Sequence, residues 1–186
     1  MNELKMDRKS RYTRMVLQDS LMELMKEKPI SKITIKELCE KADINRTTFY
    51  KHYTDQFDLL RKIETETLSW ADEMIVSIIG QTKKHEMINI LEETLQYFAD
   101  NKKHIQILMS EQGDHDFQKQ LFTLIYSKCG ITPISEQSPD LGSRELSYIF
   151  IVNGSIGLIQ HWLKGDAGRP VKDIAEIIYT MALQIK

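Results

Sequence analysis

The chain has 186 residues, of which 41% are hydrophobic, and a formal net charge of −2. This apolar content suffices for a buried core in one or two domains. No run of 18 apolar residues is present and the charged N-terminus lacks an apolar segment behind it, which argues against a membrane span and a signal peptide. We therefore expect a cytoplasmic protein without a membrane partner.

Helical patterns dominate the chain. Only four prolines and eight glycines interrupt it, and no stretch alternates apolar and polar residues over the length of a strand. We predict an all-α fold of about nine helices, with an N-terminal domain at residues 1–53 and a helical-bundle domain at residues 54–186.

Charge is distributed unevenly between the two ends of the chain. Residues 1–62 contain 14 Lys and Arg against 10 Asp and Glu, whereas the remainder contains 11 against 17. A basic N-terminal part followed by an acidic remainder is typical of a nucleic-acid-binding protein that carries a regulatory domain. The two cysteines, Cys39 and Cys129, indicate no disulfide framework.

The first helix is predicted from about Lys9 to Lys28. Several cations crowd its start, where they oppose the helix dipole and so do not serve helix stability. Two interpretations stay open: a solvated face, or an arm that lies along a DNA backbone or minor groove. These cations are Arg8, Lys9, Arg11 and Arg14.

A capping box predicts the start of a second helix. Thr34 and Glu37 stand as T-x-x-E, so each side chain can bond the backbone N–H of the other residue. An apolar stripe follows at helical spacing and ends before Asp43. The stripe consists of Ile35, Leu38, Cys39 and Ala42.

A third helix is predicted from Arg46 to Tyr53, after a turn in which Ile44 is the single apolar residue and Asn45 is the cap. Phe49 and Tyr53 form its inward face. Its other faces carry no acid but many hydrogen-bond donors, namely Arg46, Thr47, Thr48, Tyr50, Lys51 and His52.

These two helices predict a helix-turn-helix whose second member enters the major groove of DNA. Hydroxyl, phenol, imidazole and cationic groups donate to phosphate oxygens, and arginine pairs with a guanine edge. The alternative is an ordinary polar helix hairpin.

Residues 11–62 resemble the DNA-binding domain of the TetR/AcrR family of transcriptional regulators. The resemblance is carried by ITIKEL at residues 33–38, ADINRTTFY at residues 42–50, and His52-Tyr53. It implies that Thr48 and Tyr50 position phosphates and that Arg46 and Thr47 read base edges. The implied DNA-facing set is Lys36, Arg46, Thr47, Thr48, Tyr50, Lys51 and His52.

Three positions depart from the family pattern. Asp43 stands where Gly is common, and Asp tolerates a left-handed turn better than most residues. Gln56 replaces a common Lys, which removes one phosphate contact. Pro29 replaces a frequent Gly and stiffens the connection after the first helix.

The body is predicted to contain six helices. The first runs from about Thr54 to Ile79, ends at Gly80 and bridges head and body. The next three lie at about 84–100, 102–111 and 114–129, and a loop at 131–143 leads to a helix at 144–164 that is apolar nearly all round. Asp114, His115 and Asp116 adjoin in one loop, but adjacent residues rarely converge on one metal ion, so we predict no metal or cofactor.

Large apolar residues of the body are candidates for an effector site, with core packing as the alternative. A histidine in an apolar helix, such as His161, is more often a satisfied core or interface residue than a ligand contact. The candidates for a small apolar or amphipathic effector are Trp70, Met74, Leu91, Phe98, Leu121, Ile125, Tyr148 and His161.

The last two helices are predicted to form half of a four-helix bundle completed by a second copy, with an intramolecular core as the alternative. The predicted dimer residues are Ile149, Ile156, Ile159, Trp162, Ile174, Ile178, Met181 and Ile185. Residues 150–154 and 160–163 also resemble a TetR subgroup that includes an activator of dihydroxyacetone kinase genes, which implies the same interface.

We therefore predict a homodimeric DNA-binding repressor that a small-molecule effector releases from a palindromic operator. The alternative is a coactivator that binds a partner protein through its body. An enzyme is not predicted, because no Ser/His/Asp order, Cys/His pair, HExxH, P-loop or GxGxxG occurs.

Overall fold

The structure is a computed structural model that describes residues 8–110, 115–128, 143–165 and 169–183. Over those residues it contains nine α-helices, a short 3₁₀ helix at Ile30–Lys32 and no strand, which confirms the predicted all-α fold. The α-helices are α1 Arg8–Met25, α2 Ile35–Ala42, α3 Arg46–Phe49, α4 Gln56–Ile79, α5 Lys84–Asp100, α6 Lys102–Leu108, α7 His115–Lys128, α8 Ser143–Lys164 and α9 Val171–Leu183.

α1 ends at Met25, earlier than the predicted Lys28. The N–H groups of Lys26 and Glu27 donate to carbonyls three residues back, at 3.3 and 3.0 Å, instead of four. The helix therefore tightens into a turn before Pro29, because a residue that precedes proline is disfavoured in α-helical geometry.

The chain divides into two compact units, and the division falls inside α4, between Thr67 and Leu68. The first unit, which we call the head, also includes Ile107 and Leu108. The second unit is called the body. The predicted domain boundary at residues 53 and 54 lies earlier, because the first half of α4 contributes buried side chains to the head.

The core of the head is drawn from all four of its helices. Leu17 and Leu21 of α1 are fully buried, as are Leu38 of α2, Phe49 of α3 and Leu59 of α4. α1 packs on α2, and α2 packs on α3. These are the apolar positions that helical spacing predicts, so the head buries the residues that its sequence pattern selects.

In the body, α5 packs along α9, and α8 packs on both. α5 contributes Leu91 and Leu95 to the core, and α9 contributes Ile174, Ala175 and Ile178. The end of α8 is held by α6, because Gln106 Nε2 donates to the carbonyl of Leu163 at 2.7 Å.

This packing changes the account of the predicted dimer residues. Trp162, Ile174 and Ile178 are buried within the protomer, so for these three the structure shows the intramolecular alternative instead of a free face. For the two α9 residues the physical reason is that α5 already covers the apolar stripe of α9. Trp162 of α8 instead donates its indole N–H to the Arg169 carbonyl at 3.1 Å. Met181 is exposed, and Ile185 lies outside the described residues. Ile149, Ile156 and Ile159 are half-buried.

The outer face of α8 is open. Phe150 is 68% exposed and Leu146 is 53% exposed. A Cβ built on Gly154 or Gly157 would meet no atom within 4 Å. Residues Leu146–Lys164 are long and apolar enough to cross a membrane by length and composition, although an apolar helix that packs against other protein passes the same test.

Candidate nucleic-acid interface

α2 begins with the predicted capping box. The backbone N–H of Glu37 donates to Thr34 Oγ1 at 3.2 Å, and the backbone N–H of Thr34 donates to Glu37 Oε2 at 3.0 Å. Lys28 Nζ lies 2.6 Å from Glu37 Oε1. Together the Lys28 ammonium and the two Thr34 donors lower the pKa of the Glu37 carboxyl to about 2.

The turn between α2 and α3 depends on a left-handed residue. Asp43 has φ 52° and is the only residue other than glycine with positive φ in the described part of the chain. The departure from the family glycine therefore keeps the left-handed geometry, as predicted. The N–H of Ile44 donates to the Cys39 carbonyl at 3.0 Å, and Ile44 is half-buried in the turn.

Asn45 caps α3, since its Oδ1 accepts from the N–H of Thr47 at 2.8 Å. The α-helical part of α3 ends at Phe49, which is shorter than the predicted span to Tyr53. Beyond it, the N–H groups of Lys51 and His52 donate to carbonyls three residues back, at 3.2 and 2.9 Å. The helix thus continues as tighter turns, which sequence periodicity does not distinguish from α-helix.

The inward face of α3 is as predicted. Phe49 and Tyr53 are buried, with ring centroids 5.7 Å apart. Tyr50 also contacts Phe49 edge to face at 5.5 Å but stays 57% exposed. The Tyr50 ring is therefore held by its contact with Phe49 while its hydroxyl stays accessible to solvent.

The residues predicted to face DNA share one property, which is access to solvent. Five of them are exposed and two, Thr48 and His52, are half-buried. The five exposed residues are Lys36, Arg46, Thr47, Tyr50 and Lys51. No acid lies between Arg46 and Tyr53, so this surface of α3 presents donors and positive charge together.

The environment of His52 favours the neutral form of its imidazole. Burial lowers the pKa of its imidazole, and the nearby Arg14, Lys62 and Lys51 charges lower that pKa further. At neutral pH the ring therefore offers one donor and one acceptor and adds no charge to the surface.

Lys62 belongs to this region although the sequence pattern did not select it. Its Nζ donates to the His52 carbonyl at 2.8 Å and lies 4.8 Å from the centroid of the Tyr53 ring. His52 and Tyr53 lie ten and nine positions before Lys62, and neither separation is a helical spacing. Helical periodicity therefore gives no signal for this contact.

A family model of the C-terminal region of TetR-type transcriptional regulators matches residues 85–184, more than half of the chain. The chain belongs to the TetR family of transcriptional regulators. The predicted family resemblance is thereby confirmed, and the family and its structural neighbours are regulators of transcription, not enzymes.

A curated relative is the uncharacterized HTH-type transcriptional regulator YxbF of Bacillus subtilis (strain 168), which is 21% identical over 178 residues. That alignment covers 90% of this chain and 44% of the relative, so the chain spans less than half the length of the curated protein that it matches.

Three solved structures share the fold. The fatty acid degradation regulator FadR from Bacillus halodurans has a TM-score of 0.62 at 12% identity, covering 92% of this chain and 94% of its own. A TetR transcriptional regulator from Streptococcus agalactiae 2603V has a TM-score of 0.58 at 21% identity, and the match covers 97% of this chain and 99% of that one. The dihydroxyacetone kinase operon activator DhaS has a TM-score of 0.51 at 15% identity, and the match covers 92% of this chain and 94% of that one. At these identities the likeness shows the fold.

In the body, the structure brings two effector candidates together. Trp70 and Phe98 meet edge to face at 5.3 Å, and Tyr97 stacks on Trp70 at 3.8 Å. Tyr97 was missed at the sequence level because it lies between positions of the apolar stripe of α5. Leu91 is buried and His161 is exposed, so the latter does not share the core. Met74, Leu121, Ile125 and Tyr148 are half-buried.

Metal binding finds no support in the described ranges, where no group of three or more His, Cys, Asp or Glu side chains is arranged to hold an ion. The loop considered for a metal includes Asp114, which lies outside the described residues, as do Cys129 and the loop at 131–143.

Proposed function

We propose that the chain is a sequence-specific DNA-binding repressor that acts in the cytoplasm as a homodimer, with α3 as the recognition helix. The observation that carries this proposal is the acid-free outward surface of α3, held in place by Asn45 at one end and by buried Phe49 and Tyr53 beneath. A surface needed only for solubility would mix Glu with Lys, whereas this one presents donors throughout.

The individual roles follow from chemistry and exposure. Arg46 and Thr47 stand exposed in the first turn of α3, the part of a recognition helix that meets base edges. The Tyr50 phenol is oriented by its contact with Phe49 and suits a phosphate oxygen. Lys36, Thr48, Lys51 and His52 complete the proposed DNA-facing set.

Homodimer formation is proposed through the outer face of α8. Phe150 and Leu146 are exposed there, and the open space at Gly154 and Gly157 would let a second helix approach closely. Two copies of α3 related by a dyad would enter successive major grooves about 34–36 Å apart, so the operator would be a palindrome or a near-palindrome.

Release from DNA is proposed to follow effector binding in the body. The stacked aromatic pair of Trp70 and Tyr97, with Phe98 against it, offers flat apolar surface to a small apolar or amphipathic molecule. Such a molecule would favour the state of the dimer in which the spacing of the two recognition helices no longer fits the operator.

The first test is selection of bound fragments from genomic DNA, followed by affinity measurements with two variants. Arg46→Ala should change which base is preferred at one position of each half-site, by about 1–3 kcal/mol of discrimination. Tyr50→Ala should weaken binding to all sequences alike. Lys172→Ala, which replaces an exposed cation of α9 in the body, is the control and should leave the affinity for DNA unchanged.

Two outcomes would contradict the proposal. If neither α3 variant alters binding to a selected operator, α3 is not the reader. If sedimentation shows a monomer that binds DNA in register with a single half-site, the homodimer is wrong and the open face of α8 is free for a partner protein, as in the coactivator alternative.

A further inference from the structure

Lys62 of α4 contacts the residues that follow α3, and none of these contacts involves a side chain of the proposed DNA-facing set. The Nζ of Lys62 donates to the His52 carbonyl at 2.8 Å and to Asp58 Oδ2 at 3.3 Å. It also lies over the Tyr53 ring, 4.8 Å from its centroid. Two of the three N–H donors of the ammonium group are therefore engaged by oxygens, and the aromatic contact adds a cation–π interaction.

The His52 carbonyl that accepts from Lys62 lies at the C-terminal end of α3. His52 follows the last α-helical residue of α3, where carbonyl groups have no donor within the helix. A cation at a helix C-terminus satisfies such a carbonyl and interacts favourably with the helix dipole. Lys62 thus closes the open end of α3 from a separate helix.

α4 itself is anchored next to this contact. Asp58, the acid that pairs with Lys62, accepts from the backbone N–H of Thr54 at 2.9 Å, at the start of the helix. One helical turn beyond Lys62, Glu66 forms an ion pair with Arg14 of α1 and accepts from Gln18 Nε2 at 3.1 Å. The segment that carries Lys62 is therefore capped at its start and tied to α1 one turn beyond Lys62.

We propose that Lys62 is a positioning residue, which holds the C-terminal end of the recognition helix in the orientation that DNA binding needs. This inference rests on the proposed DNA-binding function. In this proposal Lys62 acts through α3 and not through DNA, because its ammonium group donates to the His52 carbonyl and to Asp58 and lies over the Tyr53 ring.

The neighbouring Arg61 supplies a matched control. It is a cation on the same helix and faces the same acid, with its guanidinium 4.0 Å from Asp58. Within the described residues, no hydrogen bond, ion pair or ring contact joins Arg61 to α3. Replacing either cation by methionine removes one charge from the same patch, but only Lys62→Met removes the tie to α3.

The experiment measures operator affinity against salt concentration for wild type, Lys62→Met and Arg61→Met, all as full-length chains. Lys62→Met should weaken binding about tenfold, the effect of one hydrogen bond from a charged group, with no change in the slope of log affinity against log salt. A phosphate contact would instead lower that slope by about 1. Lys62→Arg, which keeps a cationic donor, should recover most of the affinity.

A second readout needs no DNA. The N–H groups of His52 and Tyr53 donate to the Phe49 carbonyl at 2.9 and 3.0 Å, and their hydrogen exchange should accelerate in Lys62→Met but not in Arg61→Met. The N–H of Thr48, bonded to Asn45 at the other end of α3, is the internal reference and should keep its exchange rate. Since the Lys62 side chain is 46% exposed, its replacement leaves the core in place.

The outcomes separate the two proposals. If the wild-type chain binds no selected DNA, the proposed function fails and this inference fails with it. If the wild type binds and Lys62→Met binds equally well, or loses affinity together with about one unit of salt slope, only the inference is overturned. Unchanged exchange at His52 and Tyr53 overturns it as well.

Discussion

The head and the body bury their apolar residues to different extents. In the head, one core takes fully buried side chains from α1, α2, α3 and α4, and the exposed surface of α3 is polar. In the body, α8 leaves Phe150 and Leu146 largely exposed. The head also exposes single apolar residues such as Tyr12 and Met15, whereas α8 exposes two large ones one helical turn apart, and this is the face that we propose for the homodimer.

The largest effect is expected from opening the core of the head. Phe49→Ala removes a fully buried aromatic ring and should lower the free energy of unfolding by about 3–5 kcal/mol, a large part of what such a unit has. Chemical denaturation followed by circular dichroism measures this, with Tyr50→Ala as control. The exposed Tyr50 should change the same quantity by less than about 1.5 kcal/mol, chiefly through its edge-to-face contact with Phe49.

Equal effects of the two substitutions would remove the distinction between the inward and outward faces of α3. A selective loss in Phe49→Ala would show that the stability of the head depends on the inward face of α3 and not on its outward face.

The next effect concerns the open face of the body. Phe150→Glu should raise the dissociation constant of the homodimer by at least about a hundredfold, because two apolar contacts of roughly 1.5 kcal/mol each are lost per symmetric dimer. Analytical ultracentrifugation over a range of concentrations measures it. Val76→Glu is the control, since Val76 is an apolar body residue that is 50% exposed on α4.

Loss of the dimer in both variants would mean that exposed apolar surface in general, and not α8, holds the two chains together. A dimer that survives Phe150→Glu would place the interface elsewhere on the body.

The two regions also differ in how far the sequence predicts them. α2, its capping box, the left-handed Asp43 and the Asn45 cap were all predicted, because each depends on residues within four positions of one another. The covered face of α9 was not, since one regular stripe can pack against α5 or against a second copy with equal ease. Tertiary contacts decide between these, and they lie beyond local periodicity.

The same reasoning applies to the candidate site. The donor-rich surface of α3 can be predicted from the sequence because its residues are consecutive. The contact of Lys62 with the end of α3 cannot, because it spans ten positions and two helices. The end of α3 was misplaced for a related reason, because tighter turns keep the apolar spacing of Phe49 and Tyr53 while changing the backbone bonds.

The smallest expected effect tests the local capping of the head by its pH dependence. Lys28 and Thr34 lower the pKa of the Glu37 carboxyl from 4.5 to about 2 in the folded chain. The folded state therefore binds this proton less readily than the unfolded state does. Its stabilisation is present above about pH 4.5 and is lost as the pH falls toward 2.

Glu37→Gln separates the charge from the cap, because glutamine can still accept from the Thr34 N–H while losing the ion pair with Lys28. Its free energy of unfolding should fall below that of wild type at pH 7, and the gap should narrow steadily between pH 4.5 and pH 2.5. Urea denaturation at several pH values measures the gap, and Glu40→Gln, whose acid lies 3.8 Å from Lys36, should show almost none at pH 7. A gap that stayed constant with pH would mean that Glu37 stabilises α2 through its shape and not its charge, and that Lys28 contributes nothing to the head.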